Sequence, residues 1–320
     1  MWRKILRLFF GPMVDEWESW RPAKRWSVVL RQVLTQLFLL AVLLAVLFPV
    51  LWILSMALDP RDISKPQDLR LIPPGASLES FRRVLFDPYR LLCTNPSDDS
   101  TCMTFIHLFW NSLQVSMGTA LFSVVTGASA AYAFSRFRFI GRQAGMLGFI
   151  ILLMLPAVAT MVPLFTLLNA IKIGREPLRT TLLGLAIAYA SGALPFAIWN
   201  LKGYFDTISK DLEEAALIDG AGPLQAFVRV VIPLSAPALA ITMLFSFMTG
   251  WSEFLMAWLF LENPQRFTLA MALQSMRGQF ATPWSTFSAF SILMSIPIVV
   301  LFYILQRYIV SGLAVGGVKG

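Results

Sequence analysis

The chain has 320 residues, 57% hydrophobic and 14% charged, whereas an ordinary soluble domain is about 45–50% apolar and about 25% charged, so a water-soluble core is excluded as the main use of these side chains. The formal net charge of +8 is read as membrane topology and attraction to anionic headgroups, not as a nucleic-acid interface.

In chain order, residues 1–31 come first and interleave Trp2, Trp17, Trp20 and Trp26 with Arg3, Lys4, Arg7, Arg21, Lys24, Arg25 and Arg31, the make-up of an amphipathic helix lying in a membrane interface. Six stretches then reach the roughly 20 apolar residues that cross a bilayer. They are residues 32–58, 103–135, 143–171, 180–201, 230–261 and 284–306, interrupted by His107 and Glu253. Long apolar runs satisfy their own backbone hydrogen bonds only as helices, and the alternation of a membrane barrel is absent. The expected fold class is therefore all-α integral membrane, with six transmembrane helices.

The first run is too long for the core of a signal peptide, so it is read as an uncleaved span. An even number of spans puts both termini on one side. That side carries the basic residues of segment 1–31 and the short loop Arg136, Arg138, Arg142, which makes it cytoplasmic. The layout expected is an interfacial segment 1–31, a six-helix domain 32–306 with an exported loop 59–102 and a cytoplasmic loop 202–233, and a cytoplasmic tail 307–320.

The missing chemistry limits the function. No Gly-x4-Gly-Lys-Ser/Thr loop is present to cradle phosphates, so this chain is not expected to hydrolyse ATP or to be an enzyme. His107 is the sole histidine, which argues against His-based triads and is most simply a polar interfacial residue. Cys93 and Cys102, the two cysteines, fall in the exported loop; they can form a disulfide in an oxidising compartment or remain free thiols. Two cysteines without nearby histidines do not make a metal shell. Glu253 is costly inside a span and has two readings, a gate or partner contact or a hydrogen-bonded carboxylate near the interface. A gradient-driven transporter would be expected to carry intramembrane ionisable pairs, and Glu253 stands alone.

The loop 202–233 is the most informative segment. Ser209 suits a helix N-cap, and Asp211, Glu213 and Glu214 follow in the first turns, where the helix dipole favours acids. Gly220 can supply the left-handed residue that ends the helix, and Gly222-Pro223 can begin a second one that stops before Pro233. The small Ala215-Ala216 pair lets another protein approach closely. Taken by itself, the pattern fits a docking element or a loop packed on its own bundle.

The same loop resembles the EAA signature of permease subunits in ATP-binding-cassette importers. The pattern Glu-Ala-Ala-x3-Gly-x9-Ile-x-Leu-Pro falls on Glu214, Ala215, Ala216, Gly220, Val230, Ile232 and Pro233, departing only at the two aliphatic positions. The stretches Asn111-Ser112-Leu113, 131–136, Gly203-Tyr204-Phe205 and the ending 312–320 are similar to the smaller channel subunit of the maltose/maltodextrin-type members of that family.

The resemblance implies a type I importer permease fold, with a coupling helix at Glu213, Glu214, Ala215, Ala216, Asp219 and Gly220 that docks on an ATP-hydrolysing dimer. It implies a second contact through the tail residues Gly316, Gly317, Lys319 and Gly320. It also implies a second, larger permease subunit, a periplasmic substrate-binding protein, and a sugar as cargo, with maltose or maltodextrin first and trehalose, another sugar, a polyol or glycerol phosphate as alternatives. ATP and Mg would be bound by the partner subunit, leaving no cofactor in this chain. In such assemblies the larger subunit chiefly holds the sugar, so no sugar ligands are assigned. Tyr189, Trp199, Trp251 and Trp258 can stack on sugar rings but are equally ordinary packing residues.

Overall fold

The structure, a computed structural model, describes residues 22–61, 71–87, 89–93, 102–277 and 282–316. Most of the Trp-rich segment expected at 1–31 lies outside the described residues, as do Gly317, Lys319 and Gly320.

Helix α1 spans Pro22–Ala57 and is followed by a short α2, Glu79–Phe86. A small hairpin, β1 Tyr89–Cys93 with β2 Cys102–Met103, leads into α3, Phe105–Arg136. Then come α4 Arg142–Met154, α5 Ala157–Ala170, a two-residue hairpin of β3 Lys172–Ile173 and β4 Glu176–Pro177, and α6 Leu182–Phe205. The loop that follows holds α7, Asp211–Ile218, and α8, Pro223–Leu234. The remainder is α9 Ala236–Ser252, α10 Leu255–Phe260, α11 Leu269–Ser275 and α12 Trp284–Gly316.

Four helices, α1, α3, α6 and α12, are long and apolar enough to cross a membrane, and two bent pairs bring the number to six if each pair is one span. The expected third span is the pair α4–α5, bent by 107°. Pro156 accounts for the break: it disfavours helical backbone at the residue before it, and Leu155 is extended with φ −73° and ψ 137°. The second pair is α8–α9, bent by 79° at Ser235. Pro237, just inside α9, lacks the N–H that would continue the ladder and crowds the preceding turn.

Several boundaries differ from the sequence reading. Helix α1 already begins at Pro22, so residues 22–31, expected in the interfacial segment, are continuous with the first span. Helix α8 does not stop before Pro233 but runs to Leu234, through a π-helical stretch at Phe227–Val231. The fifth span does not continue to 261, because α9 ends at Ser252 and the chain is extended at Glu253 before α10 begins. Helix α12 continues past residue 306 to Gly316, so much of the expected tail is helical. The two hairpins hold the only strands among the described residues.

The bundle is centred on α3, which packs along α6 and α9, with α12 against α9 and α1 against α12. Close approach rests on small residues, as in membrane bundles generally. A Cβ added at Gly250 would stand 2.8 Å from the Cα of Ser116, so α9 and α3 touch at backbone level there. Polar side chains tie the helices together: Thr119 donates to the Ala186 carbonyl at 3.3 Å and Asn200 to the Thr242 hydroxyl at 3.0 Å. Trp251 is buried, stacks on Phe247 and donates its indole N–H to the Met294 carbonyl at 2.9 Å. By contrast, α1 buries none of its membrane-length core within the chain. Its apolar surface is left for lipid or another subunit.

Candidate functional site

Helix α6 ends at Phe205, and Asp206 caps it, ion-paired to Lys202 at 2.6 Å. The Ser135 hydroxyl at the end of α3 donates to the same carboxylate at 2.7 Å. Burial works to raise the Asp206 carboxyl, but the Lys202 ammonium, the Ser135 hydroxyl and the Arg142 charge outweigh it and hold the group below the ordinary carboxylate value. This fixes where the chain leaves the bundle.

Helix α7 begins one residue later than expected, with Lys210 as its N-cap; the Ser209 hydroxyl still accepts from the Asp211 N–H at 3.3 Å. Asp211, Glu213 and Glu214 fill its first turn, where partial positive charge favours them. The helix ends in a Schellman arrangement, with the Gly220 N–H donating to Leu217 at 3.1 Å and the Ala221 N–H to Ala216 at 2.9 Å. Gly220 has a φ of 89°, in the left-handed region where a side chain would be strained. Gly222 then caps α8, its N–H donating to the Gln225 side chain at 3.0 Å, with Pro223 in the first turn.

The six residues assigned to this helix part company in space. Glu213 is buried and turned into the bundle, where Tyr132 donates to it at 2.7 Å and Arg136 at 2.5 Å. Arg136 also donates to the Ile208 carbonyl at 3.1 Å, so one guanidinium holds both ends of the approach to α7. Both side chains of the pair are nearly dry, at 8% and 10% exposure. Glu213 is therefore an anchor within this chain and has no exposed face for a partner. Glu214, Ala215, Asp219 and Gly220 lie on the outer surface, and Ala216 is half-buried. Around them stand apolar side chains with nothing over them, Leu212, Ile218 at 87% and Leu224 at 73% exposure.

Tyr132 also packs its ring on Phe227 of α8, centroids 4.5 Å apart. The hairpin of α7 and α8 is thus pinned to α3 on both arms. Sequence reasoning missed Tyr132 and Arg136 as part of this site. Arg136 entered it as one of several basic residues setting orientation, although both lie in the 131–136 stretch that carried the family likeness.

Elsewhere, the Glu253 carboxylate accepts backbone N–H bonds from Leu255 at 2.8 Å and Met256 at 3.1 Å, closing the start of α10. The His107 ring meets the Gln265 carbonyl at 2.8 Å. Cys102 is disulfide-bonded, and Cys93 is its register partner in the β1–β2 ladder. Tyr189 and Trp251 are buried in packing, whereas Trp199 and Trp258 are about half exposed. Gly316 is the last described residue of α12.

Membrane-length helices around a small-residue core, with a helical hairpin clamped by a buried ion pair, define a multi-pass helical membrane protein. The chain belongs to the family of binding-protein-dependent transport system inner membrane components, whose family model matches residues 123–315. It is 34% identical over 293 residues to the maltose/maltodextrin transport system permease protein MalG of Yersinia pestis, covering 91% of this chain and 94% of that protein. It is 36% identical over 274 residues to the trehalose transport system permease protein SugB of Mycobacterium tuberculosis, covering 85% and 92%. Its fold is similar to a chain in the crystal structure of a bacterial ABC transporter involved in import of the acidic polysaccharide alginate, with TM-score 0.62, 24% identity, and coverage of 90% of this chain and 98% of that one. The type I importer permease fold follows.

Proposed function

We propose that this chain is one of two permease subunits of an ATP-driven importer that accepts maltose or maltodextrin from a periplasmic binding protein. The cargo reading rests on the maltose/maltodextrin permease relatives; the trehalose permease among the relatives supplies the second reading. The single observation that carries the coupling role is the α7 surface, where Glu214, Ala215 and Gly220 lie bare beside exposed Ile218 while Glu213 is tied inward. A helix in that state offers a small-residue face to a cleft in another protein, and the EAA likeness supports an ATPase subunit as that protein.

In this mechanism ATP and Mg are bound by the partner dimer, whose closure moves α7. The hairpin is tied to α3 through Glu213–Arg136 and Tyr132, so displacement of α7 is delivered to the central helix of the bundle. The spans then rock between inward-open and outward-open states, and sugar released by the binding protein enters the pathway. Each ligand drives this only through different affinity for the two states. Both termini are cytoplasmic, the tail from Gly316 through Gly317, Lys319 and Gly320 gives a second ATPase contact, and the exported loop with Cys93 and Cys102 faces an oxidising compartment. Glu253 is retained as a contact near the exported mouth.

The test uses Gly220→Pro and Glu214→Lys in the assembled transporter. Both should abolish sugar uptake while the chain stays in the membrane, and normal uptake by both would overturn the docking assignment. Binding of maltose against trehalose to the cognate binding protein decides the cargo.

A further inference from the structure

A cavity of about 420 Å³ opens at the foot of α3, between the α3–α4 loop and the start of α7. Its size lies within the roughly 300–1,000 Å³ of small-ligand sites. Arg136, Arg138, Arg142 and Lys210 line it together with Asp206 and Ser209. Two of the four cations are occupied: Arg136 by Glu213, and Arg142 by the Ser135 carbonyl at 3.5 Å and the field of Asp206. Asp206 in turn is taken by Lys202 and Ser135. Among the described residues, Arg138 and Lys210 have no carboxylate partner, so the cavity has an uncompensated positive charge.

The rim is apolar where a solvated basic loop would be polar. Phe137 is 55% exposed, Phe139 45% and Ile140 fully so, and α4 beyond them buries no residue at all. Arginines alternating with exposed aromatic and aliphatic side chains suit the boundary between headgroups and acyl chains, where the charged heads reach polar groups and the apolar bodies reach hydrocarbon. A water-borne acidic protein or nucleic acid would leave that rim uncovered. Guanidinium and ammonium groups converging beside such a rim match a phosphate oxygen set, and basic pockets between membrane helices hold anionic headgroups.

The geometry points to this cavity as a binding site for the phosphate of an anionic phospholipid, gripped by Arg138 and Lys210 directly beneath the coupling hairpin. Because Lys210 is the N-cap of α7 and Arg136 clamps Glu213 from the same cavity wall, a bound headgroup stiffens the seat of α7. The site deepens the importer reading but does not depend on the cargo or on which ATPase docks.

The experiment uses the whole complex purified gently and placed in discs of phosphatidylcholine, with or without phosphatidylglycerol, wild type beside Arg138→Gln/Lys210→Gln. Native mass spectrometry should find phosphatidylglycerol retained by the wild type, with retention reduced about fivefold by each substitution and about thirtyfold by the pair. The charge-conserving Arg138→Lys/Lys210→Arg swap should keep it, which controls for folding. Equal retention by wild type and the Gln pair would overturn the proposal. If inorganic phosphate added to pure phosphatidylcholine discs gives the variant-sensitive thermal stabilisation instead, and phosphatidylglycerol gives none, the phosphate chemistry stands and the lipid source falls. Co-purification of the ATPase subunit is scored in the same samples: its absence from the wild type sinks the importer reading while leaving lipid retention readable.

Discussion

Arg136, the last residue of α3, and Glu213, in the first turn of α7, form a buried ion pair at 2.5 Å across 77 positions of sequence. The carboxylate has a second donor in Tyr132 and the guanidinium a second acceptor in the Ile208 carbonyl. The outward helix and the central span are thereby one mechanical unit.

Removing one partner of a buried pair strands a charge, at a cost of about 3–5 kcal/mol. Arg136→Met or Glu213→Leu should each lower the thermal midpoint of the purified complex and reduce uptake. The double variant Arg136→Met/Glu213→Leu should recover much of the midpoint, since no charge is left unpaired, but not the uptake. A double variant as unstable as the sum of its parts would show that the two residues act separately.

Gly250 lets α9 meet α3 with 2.8 Å between a would-be Cβ and the Ser116 Cα. The obstacle is backbone, which cannot turn aside. Gly250→Val should cost about 1–3 kcal/mol or more through overpacking, seen as a lowered thermal midpoint and poorer yield of folded complex.

Ile218 is 87% exposed on the outer face of α7. Ile218→Ser removes an apolar side chain that nothing in this chain covers, so stability of the permease should stay within about 0.5 kcal/mol. Retention of the ATPase subunit on an affinity column should nonetheless fall, and unchanged retention would separate this residue from the docking surface.

Asp206 titrates below the ordinary carboxyl value of 3.8. A depressed value means that its ionised form is favoured by folding, so its contribution is complete above 3.8 and is lost as pH falls from there through its folded value. The difference in thermal midpoint between wild type and Asp206→Asn should be flat around neutral pH and shrink as the pH approaches 3.8 and passes below it.

How far the sequence carried the reading differs between elements. The apolar runs at 32–58, 103–135, 180–201 and 284–306 became α1, α3, α6 and α12, because length and hydropathy fix a membrane helix without reference to its neighbours. The hairpin of α7 and α8 was legible for a similar reason: its caps, its left-handed Gly220 and its Pro223 are local signals. Glu253 was harder, because hydropathy averages over a window and cannot see that α9 ends one residue before it and that its carboxylate starts α10.

The amino-acid order alone determined a membrane-spanning helical chain and a short helical hairpin bearing the EAA pattern between the fourth and fifth apolar runs, since each depends on residues close in sequence. Only the tertiary structure decided that Glu213 faces inward while Glu214 faces out, that Arg136 and Tyr132 receive it, and that Arg138 and Lys210 share a cavity. Those relationships join α3 to a loop some seventy-five residues later. No local propensity encodes such a pairing: a helix can be rotated about its axis at little local cost, and the contacts that choose one rotation form only when the helices pack.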